Sequence, residues 1–177
     1  EKLENHLQRP RWQGESLAGR SILIGIEAGH GDMIQFCRYA LVLKAQGVAR
    51  ITLVCHPALK ILFSTLSSVD EVLSFADDVP ASGWDFWSPP MSLPYYCQTR
   101  LDSIPAPVPY LFAEPARVEK WRERLPPAKV RVGLVWKGNP RFENDADRSL
   151  PSLQLLAPLS TVVGASFVSL QKGAGED

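Results

Sequence analysis

The sequence predicts an α/β protein whose core is a mostly parallel sheet with helices on both faces. Short apolar runs, typical of strands buried on both faces, alternate with segments in which apolar residues recur at helical spacing. The connections between these runs are long enough for the right-handed crossovers that join parallel strands. A turn of small residues also links the first strand directly to a helix that carries an acid near its start.

Composition narrows the class of protein. The 177 residues suit one domain or slightly more, and 45% of them are hydrophobic, which is enough for a core. Lys plus Arg and Asp plus Glu both number 19, so the formal net charge is zero, which argues against nucleic-acid binding and against a membrane-surface role. No apolar run approaches the ~20 residues of a transmembrane helix, and the polar N-terminus is unlike a signal peptide.

The spacing of cysteine and histidine predicts a reducing compartment, no disulfides, no metal site and no other cofactor. The three cysteines, at positions 37, 55 and 97, show no CxxC spacing. The three histidines, at positions 6, 30 and 56, show no spacing typical of metal ligands. We therefore expect a cytoplasmic protein. The chain begins with Glu1 rather than Met, so we expect a piece of a longer protein.

The first predicted elements follow a polar lead-in segment, residues 1–19, which Trp12 and Leu17 should attach to the core. A buried strand is predicted at Ile22–Ile26. Apolar residues then recur at helical spacing over Asp32–Gln46, and the glycine that follows is suited to end this helix.

The next elements repeat this alternation. A second buried strand is predicted at Ile51–Cys55, and Pro57 suits the first position of a second helix. Val69–Leu73 and Trp84–Trp87 complete the four strands. Residues 88–111 contain prolines that break any long element, yet their many aromatic and apolar side chains require an ordered, buried segment.

A helix at Glu114–Leu125 closes the first domain, which we place at residues 20–125. The linker at residues 126–129 contains a proline pair and marks the boundary. The second domain, residues 130–177, should hold only one strand, one helix and one further strand.

In this second domain we predict a strand at Val130–Trp136, a polar loop, a helix at Leu150–Leu159 and a strand at Ser166–Leu170. Parallel strands need neighbours and cover on both faces, and about 50 residues cannot supply them. We therefore expect residues 128–177 to form a homodimer or to exchange a segment with a second copy. The alternative is intramolecular: this unit could fold back onto the proline-rich segment.

The first candidate site is the turn Gly29-His30-Gly31-Asp32, where backbone N–H groups and a carboxylate meet at a strand end. Asp32 is a helix cap, a catalytic acid–base group, or both. His30 either touches a ligand or is merely exposed, and Glu27 points into the same site or into solvent. A nicotinamide dinucleotide is disfavoured, because the third glycine of the G-x-G-x-x-G fingerprint and the ribose-binding acid are missing.

The second candidate site follows the next predicted strand. Lys137, Asn139, Arg141 and Arg148 precede the next helix, and cations beside free helix N–H groups suit a diphosphate. The alternative is a solvated surface loop, since three acids between positions 143 and 147 offset the cations. Gln171-Lys172-Gly173 is a third donor-rich strand end or a frayed terminus.

Five motifs in fixed order carry a family resemblance. They are G-x-G-D-x-I-Q-F-C-R-Y after the first strand, then S-I-P-A-P-V-P-Y-L, G-L-V-W-x-G-N-P, R-S-L-P and F-V-S-L-Q-K-G. Together they resemble the C-terminal half of bacterial tetratricopeptide-repeat proteins, which is similar to heptosyltransferase-like glycosyltransferases of family 9. The resemblance runs from about Trp12 to Gly173.

The resemblance implies a GT-B architecture, in which two Rossmann-like domains face each other across a cleft and no metal is essential. It implies transfer of a sugar from a nucleotide diphosphate donor to an acceptor hydroxyl. Residues 20–125 would be the acceptor-side domain, and residues 130–177 the truncated start of the donor-side domain. This piece alone should therefore be inactive.

Two positions match the family's functional residues. Asp32 stands at the Gly-Asp position of the family, where the acid is the proposed catalytic base. Arg148 stands where the family places a basic residue against the donor's phosphates. His30 departs from the family, which commonly has an apolar residue there.

Two other functions remain as alternatives. A non-catalytic binding or scaffold module of a tetratricopeptide-repeat protein would keep the fold without the chemistry. A different nucleotide-binding α/β enzyme would use the same strand ends for another reaction.

Overall fold

The computed structural model describes residues 5–25 and 29–173. The chain forms two compact units, Glu1–Val118 and Glu119–Asp177. The domain limits predicted from the sequence, residues 20–125 and 130–177, stay predictions. In the described residues, no helix is both long and apolar enough to cross a membrane.

The first unit is built on a parallel four-stranded sheet, which confirms the predicted α/β class. Its strands are β1 (Ser21–Ile24), β2 (Arg50–Cys55), β3 (Glu71–Ser74) and β4 (Phe86–Ser88). Their order is β3-β2-β1-β4, and every neighbouring pair is parallel. This is the order of the first four strands of a Rossmann-like sheet. The predicted third and fourth strands each begin two residues later than expected.

The helices of the first unit are short. The α-helices are α1 (His30–Phe36), α2 (Tyr39–Ala45), α3 (Lys60–Phe63), α4 (Leu93–Tyr96) and α5 (Pro115–Arg124), the last of which contains the division between the units. Turns of 3₁₀ helix occur at Pro57–Leu59, Pro90–Ser92 and Leu101–Ser103.

The predicted single helix over Asp32–Gln46 is wrong, because the structure interrupts it between α1 and α2. The carbonyl of Ile34 accepts hydrogen bonds from the Tyr110 hydroxyl at 2.9 Å and from the Cys37 thiol at 3.2 Å. The carbonyl of Gln35 accepts from Arg38 Nε at 2.8 Å. Side chains therefore satisfy the two carbonyls that the next helical turn would have used, and the helix starts again with tighter bonds.

The two faces of the sheet are covered differently. Ile22, Ile24 and Leu53 point to the face covered by helices α1 to α4. The alternate residues, such as Leu23, pack on the other face against Leu7 and against the connection between β3 and β4. The expectation of helices on both faces is therefore wrong for α1 to α4, which all share one face.

The lead-in segment is attached as predicted, since Trp12 and Leu17 are buried. The expected burial of residues 88–111 is wrong in part. Leu93 is fully buried, but Tyr95 is 80% exposed and Leu101 is 94% exposed. A few anchors hold this segment to the core, so the remaining apolar side chains stay at the surface.

The second unit contains a two-stranded parallel sheet of β5 (Val130–Leu134) and β6 (Ala165–Ser169). Both strands were predicted, with ends one or two residues away. The predicted α-helix at Leu150–Leu159 is wrong, because Leu153–Thr161 forms a 3₁₀ helix. Pro158 inside this segment has no N–H to donate, which disfavours α-helical bonding.

Candidate functional site

The first site lies where the order of the sheet reverses. From β1 the chain passes to β2 and β3 on one side, while β4 lies on the other side. Ligands of open α/β sheets bind at the carboxyl ends of strands beside such a point. The Gly25 N–H donates to the Ser88 carbonyl at 3.1 Å and so joins the ends of β1 and β4. Residues 26–28, which include Glu27, lie outside the described residues.

Asp32 occupies the first turn of α1 at this strand end and is half-buried. Its Oδ2 lies 2.1 Å from the point that a Cβ on Gly29 would occupy, so only glycine leaves room for the carboxylate there. Within the described residues, this carboxylate has no hydrogen bond and no ion pair. Among the described residues it therefore makes no capping hydrogen bond to α1, and neither oxygen is engaged. The negative charge of Asp32 is also stabilised by the positive end of the helix dipole at the N-terminus of α1.

His30 lies beside a histidine that the sequence analysis did not assign to the site. The rings of His30 and His56 meet edge to face, with centroids 4.4 Å apart. His56 Nδ1 accepts from the Ala58 N–H at 3.2 Å, so the neutral ring carries its proton on Nε2. Both histidines follow the ends of neighbouring parallel strands. This position after β2 is the sequence feature that could have assigned His56 to the site.

The three thiols are unsuited to nucleophilic chemistry. Burial disfavours the thiolate and raises the pKa of Cys37 to about 12, and those of Cys55 and Cys97 to about 11. Among the residues that the structure describes, no group of three or more His, Cys, Asp or Glu side chains is placed to hold a metal ion. Among the described residues at this strand end, Asp32, His30 and His56 are therefore the candidate acid–base groups.

The second site, in the second unit, is held in shape by Gln171. Its Oε1 accepts from the backbone N–H groups of Trp136 and Lys137, both at 3.0 Å, and its Nε2 donates to the Lys137 carbonyl at 3.1 Å. Gln171 is 9% exposed. The side chain that follows β6 therefore fixes the backbone that follows β5.

A second set of contacts closes the loop after Lys137. Ser149 Oγ accepts from the Gly138 N–H at 2.8 Å and donates to Asp145 Oδ1 at 2.7 Å. A Cβ on Gly138 would lie 2.7 Å from the same Asp145 oxygen. Asp145 therefore shapes the loop, whereas the sequence analysis considered it only as an acid that offsets the cations.

The cations of this loop keep their charge unpaired. In the described part of the chain, Lys137, Arg141 and Arg148 have no carboxylate within 4.0 Å. The Arg148 guanidinium lies over the ring of Phe142, 5.2 Å from its centroid. Asn139 Oδ1 accepts from the Arg141 N–H at 3.0 Å and so serves the loop backbone. The three acids of the loop, at positions 143, 145 and 147, balance these cations in number, so the net charge is zero although no ion pair forms among the described residues. Lys137 is the half-buried cation of the loop.

The sequence analysis missed a cavity of about 440 Å³ in the first unit. It lies at the interruption between α1 and α2 and is bounded by the segment after α4. Its lining includes Arg38, Tyr39, Arg100 and Ile104. Arg38 and Tyr39 are adjacent in the sequence, but the predicted continuous helix did not indicate that they would line a cavity.

No model of a known protein family matches the chain, and no solved structure matches it. Among curated proteins, the chain is similar to Protein FlbA of Caulobacter vibrioides, with 26% identity over 185 aligned positions. The alignment covers 94% of this chain and 31% of FlbA, so the chain spans about a third of the length of this relative.

Proposed function

We propose that this chain is a glycosyltransferase-like region of the GT-B type. In the full-length protein it would transfer a sugar from a nucleotide diphosphate donor to an acceptor hydroxyl. The observation that carries the proposal is the carboxylate of Asp32, which has no hydrogen bond or ion pair among the described residues and lies at the switch point of a parallel sheet. The motif resemblance to the C-terminal half of tetratricopeptide-repeat proteins supports the same assignment.

In this mechanism Asp32 is the general base. Its carboxylate takes the proton of the acceptor hydroxyl while the hydroxyl oxygen attacks the anomeric carbon of the donor sugar. Such a base contributes ~10²- to 10⁴-fold to the rate. Gly29 supports this role, because the absence of a side chain there lets the carboxylate lie against the turn.

The second unit would receive the leaving group. As the bond from the anomeric carbon to the diphosphate oxygen breaks, negative charge grows on the diphosphate. Lys137 and Arg148 are free of carboxylate partners in the described residues, so they are available to stabilise that charge. Gln171 and Ser149 hold the loop in place before the donor arrives, which lowers the cost of ordering it.

A second candidate, a non-catalytic binding module, is favoured by a different observation. The segment after β4 and helix α5 expose several large apolar side chains, among them Tyr95, Leu101 and Trp121. Exposed aromatic residues are common where proteins recognise partners. A binding module would need these residues and would not need the carboxylate of Asp32.

The decisive experiment measures transfer by the full-length protein, with a panel of nucleotide sugars and detection of the released nucleoside diphosphate. Asp32→Asn should lower turnover at least ~100-fold and leave the melting temperature unchanged. Asp78→Asn, at an exposed acid whose carboxylate has no hydrogen bond or ion pair among the described residues, is the matched control. Turnover that survives Asp32→Asn would exclude the base role.

The donor side is tested separately by calorimetric titration with uridine, guanosine and adenosine diphosphates. Combined Lys137→Gln and Arg148→Gln should abolish binding, and binding by the natural protein should weaken as salt is added. Lys129→Gln, an exposed lysine of the same unit, is the control. Binding that is insensitive to the double substitution would exclude the loop as the diphosphate site and favour the binding module.

A further inference from the structure

The cavity between α1 and α2 in the first unit has the size of a small-molecule site. Its volume is about 440 Å³, within the range of about 300–1,000 Å³ that is usual for ligand pockets. Phe36 and Ile104 supply apolar surface, Leu101 lies at the exposed rim, and Gln35 and Thr99 add polar groups. A cavity of this kind suits a ligand with an apolar or aromatic body.

The charged residues of its lining, Arg38 and Arg100, are both positive and have no carboxylate partner among the described residues. Arg38 donates to three neutral acceptors: the carbonyls of Gln35 at 2.8 Å and Pro105 at 3.1 Å, and the Tyr110 hydroxyl at 3.0 Å. Within the described residues, neither Arg38 nor Arg100 has a carboxylate within 4.0 Å. A half-buried guanidinium without a counter-ion is costly, and a bound anion would offset that cost.

A second, independent observation comes from Tyr39. This residue is 4% exposed and lines the cavity. Among the described residues, its hydroxyl has no hydrogen-bond partner. The hydroxyl is not sealed in the core either, since Ser68 Oγ is the one enclosed, unpartnered side-chain oxygen of the described chain. Buried tyrosine hydroxyls normally find a partner, so this one is a donor available to a ligand.

We infer that this cavity binds a small organic anion, with its carboxylate or phosphate held by Arg38, Arg100 and the Tyr39 hydroxyl, and its apolar body against Phe36 and Ile104. A guanidinium provides the planar donors that both kinds of anion accept, and charge-assisted bonds of this type are the strong ones. The site does not involve Asp32 or the second-unit loop. The inference therefore does not rest on sugar transfer, and either can fail without the other.

The test uses fluorine NMR with three probes of one shape: 4-fluorophenyl phosphate, 4-fluorobenzoate and the uncharged 4-fluorobenzyl alcohol. At least one anion should bind at least about tenfold more tightly than the alcohol, and comparing the two anions identifies the preferred head group. Because Arg100 is exposed, added salt should weaken the binding. Equal affinity for the alcohol and both anions would overturn the inference.

Two substitutions locate the binding without disturbing the hydrogen bonds of Arg38. Arg100→Gln should weaken anion binding about tenfold, and Tyr39→Phe about threefold or more. Tyr39→Phe should leave the melting temperature unchanged, because its hydroxyl has no hydrogen-bond partner among the described residues to lose. Arg9→Gln, at an exposed arginine, is the control for total charge. Anion affinities that stay unchanged in both variants, or a control that weakens binding equally, would overturn the inference.

Discussion

Replacing Gln171 by leucine should open the loop that follows β5. The substitution keeps the volume but removes the acceptor of two backbone N–H groups, on Trp136 and Lys137, and the donor to the Lys137 carbonyl. It also removes a longer bond, of 3.4 Å, to the Lys172 carbonyl, which we leave out of the sum. Each lost bond costs about 0.5–1.5 kcal/mol net, and a buried N–H left without a partner costs more. Three such contacts give about 2–4 kcal/mol for local opening.

Hydrogen exchange measures this quantity residue by residue. A loss of about 2–4 kcal/mol corresponds to roughly 30- to 800-fold faster exchange at the amides of Trp136 and Lys137. The amide of Val132 in the middle of β5 reports whether the whole strand opens. Gln154→Leu is the matched control, because Gln154 is an exposed glutamine of the same unit whose side chain has no hydrogen bond among the described residues. If both amides in Gln171→Leu exchange within about threefold of the natural rate, the side chain does not hold this loop.

Four further predictions address other parts of the molecule. Gly29→Ala should leave stability nearly unchanged, since the φ of −79° and ψ of 127° at this residue suit alanine. The added methyl group should displace the carboxylate of Asp32 and so reduce transfer as Asp32→Asn does. Melting and activity measurements on the same variant check both effects. Gln98 has a φ of +54°, so Gln98→Gly should raise the free energy of unfolding by about 1 kcal/mol in denaturant titrations. Hydrogen bonds from a lysine and a backbone N–H lower the pKa of Asp77 from 3.8 to about 2. Its contribution to stability is therefore present above about pH 4 and is lost as the pH falls towards 2. In Asp77→Asn, the melting temperature should fall less steeply over that pH range than in the natural protein. Residues 128–177 should still mediate a homodimer, and light scattering that finds a monomer at every concentration would exclude it.

Much of the sheet was predictable because its signal is local. Ile22 to Ile24 form an uninterrupted apolar run, and such runs are typical of strands buried on both faces. The pairing of β1 with β2 and of β2 with β3 also follows from chain connectivity, since short crossovers favour parallel neighbours, whereas the pairing of β4 with β1 does not. In the second unit, Pro158 argues against an α-helix over Leu153–Thr161, and this signal is present in the sequence. The helical spacing of the apolar residues nevertheless led to the wrong prediction of an α-helix there.

The interruption between α1 and α2 was beyond sequence reasoning. It depends on Tyr110, which lies 76 residues along the chain from the Ile34 carbonyl that it binds. No local sequence pattern around Cys37 indicates the hydrogen bond between Tyr110 and Ile34. The candidate site divides in the same way: the position of Asp32 in a first helical turn is a local property, whereas the pairing of His30 with His56 depends on two neighbouring strands.

The interrupted helix also has a consequence for the order of folding. The bond from Tyr110 to Ile34 closes a loop of 76 residues, and long loops form late because their closure costs more chain entropy. During synthesis, residues 30–45 leave the ribosome well before Tyr110 and can first form one continuous helix. The bend between α1 and α2 then arises only when Tyr110 and its neighbours dock. The cavity beside this bend therefore cannot form before residue 110 has left the ribosome.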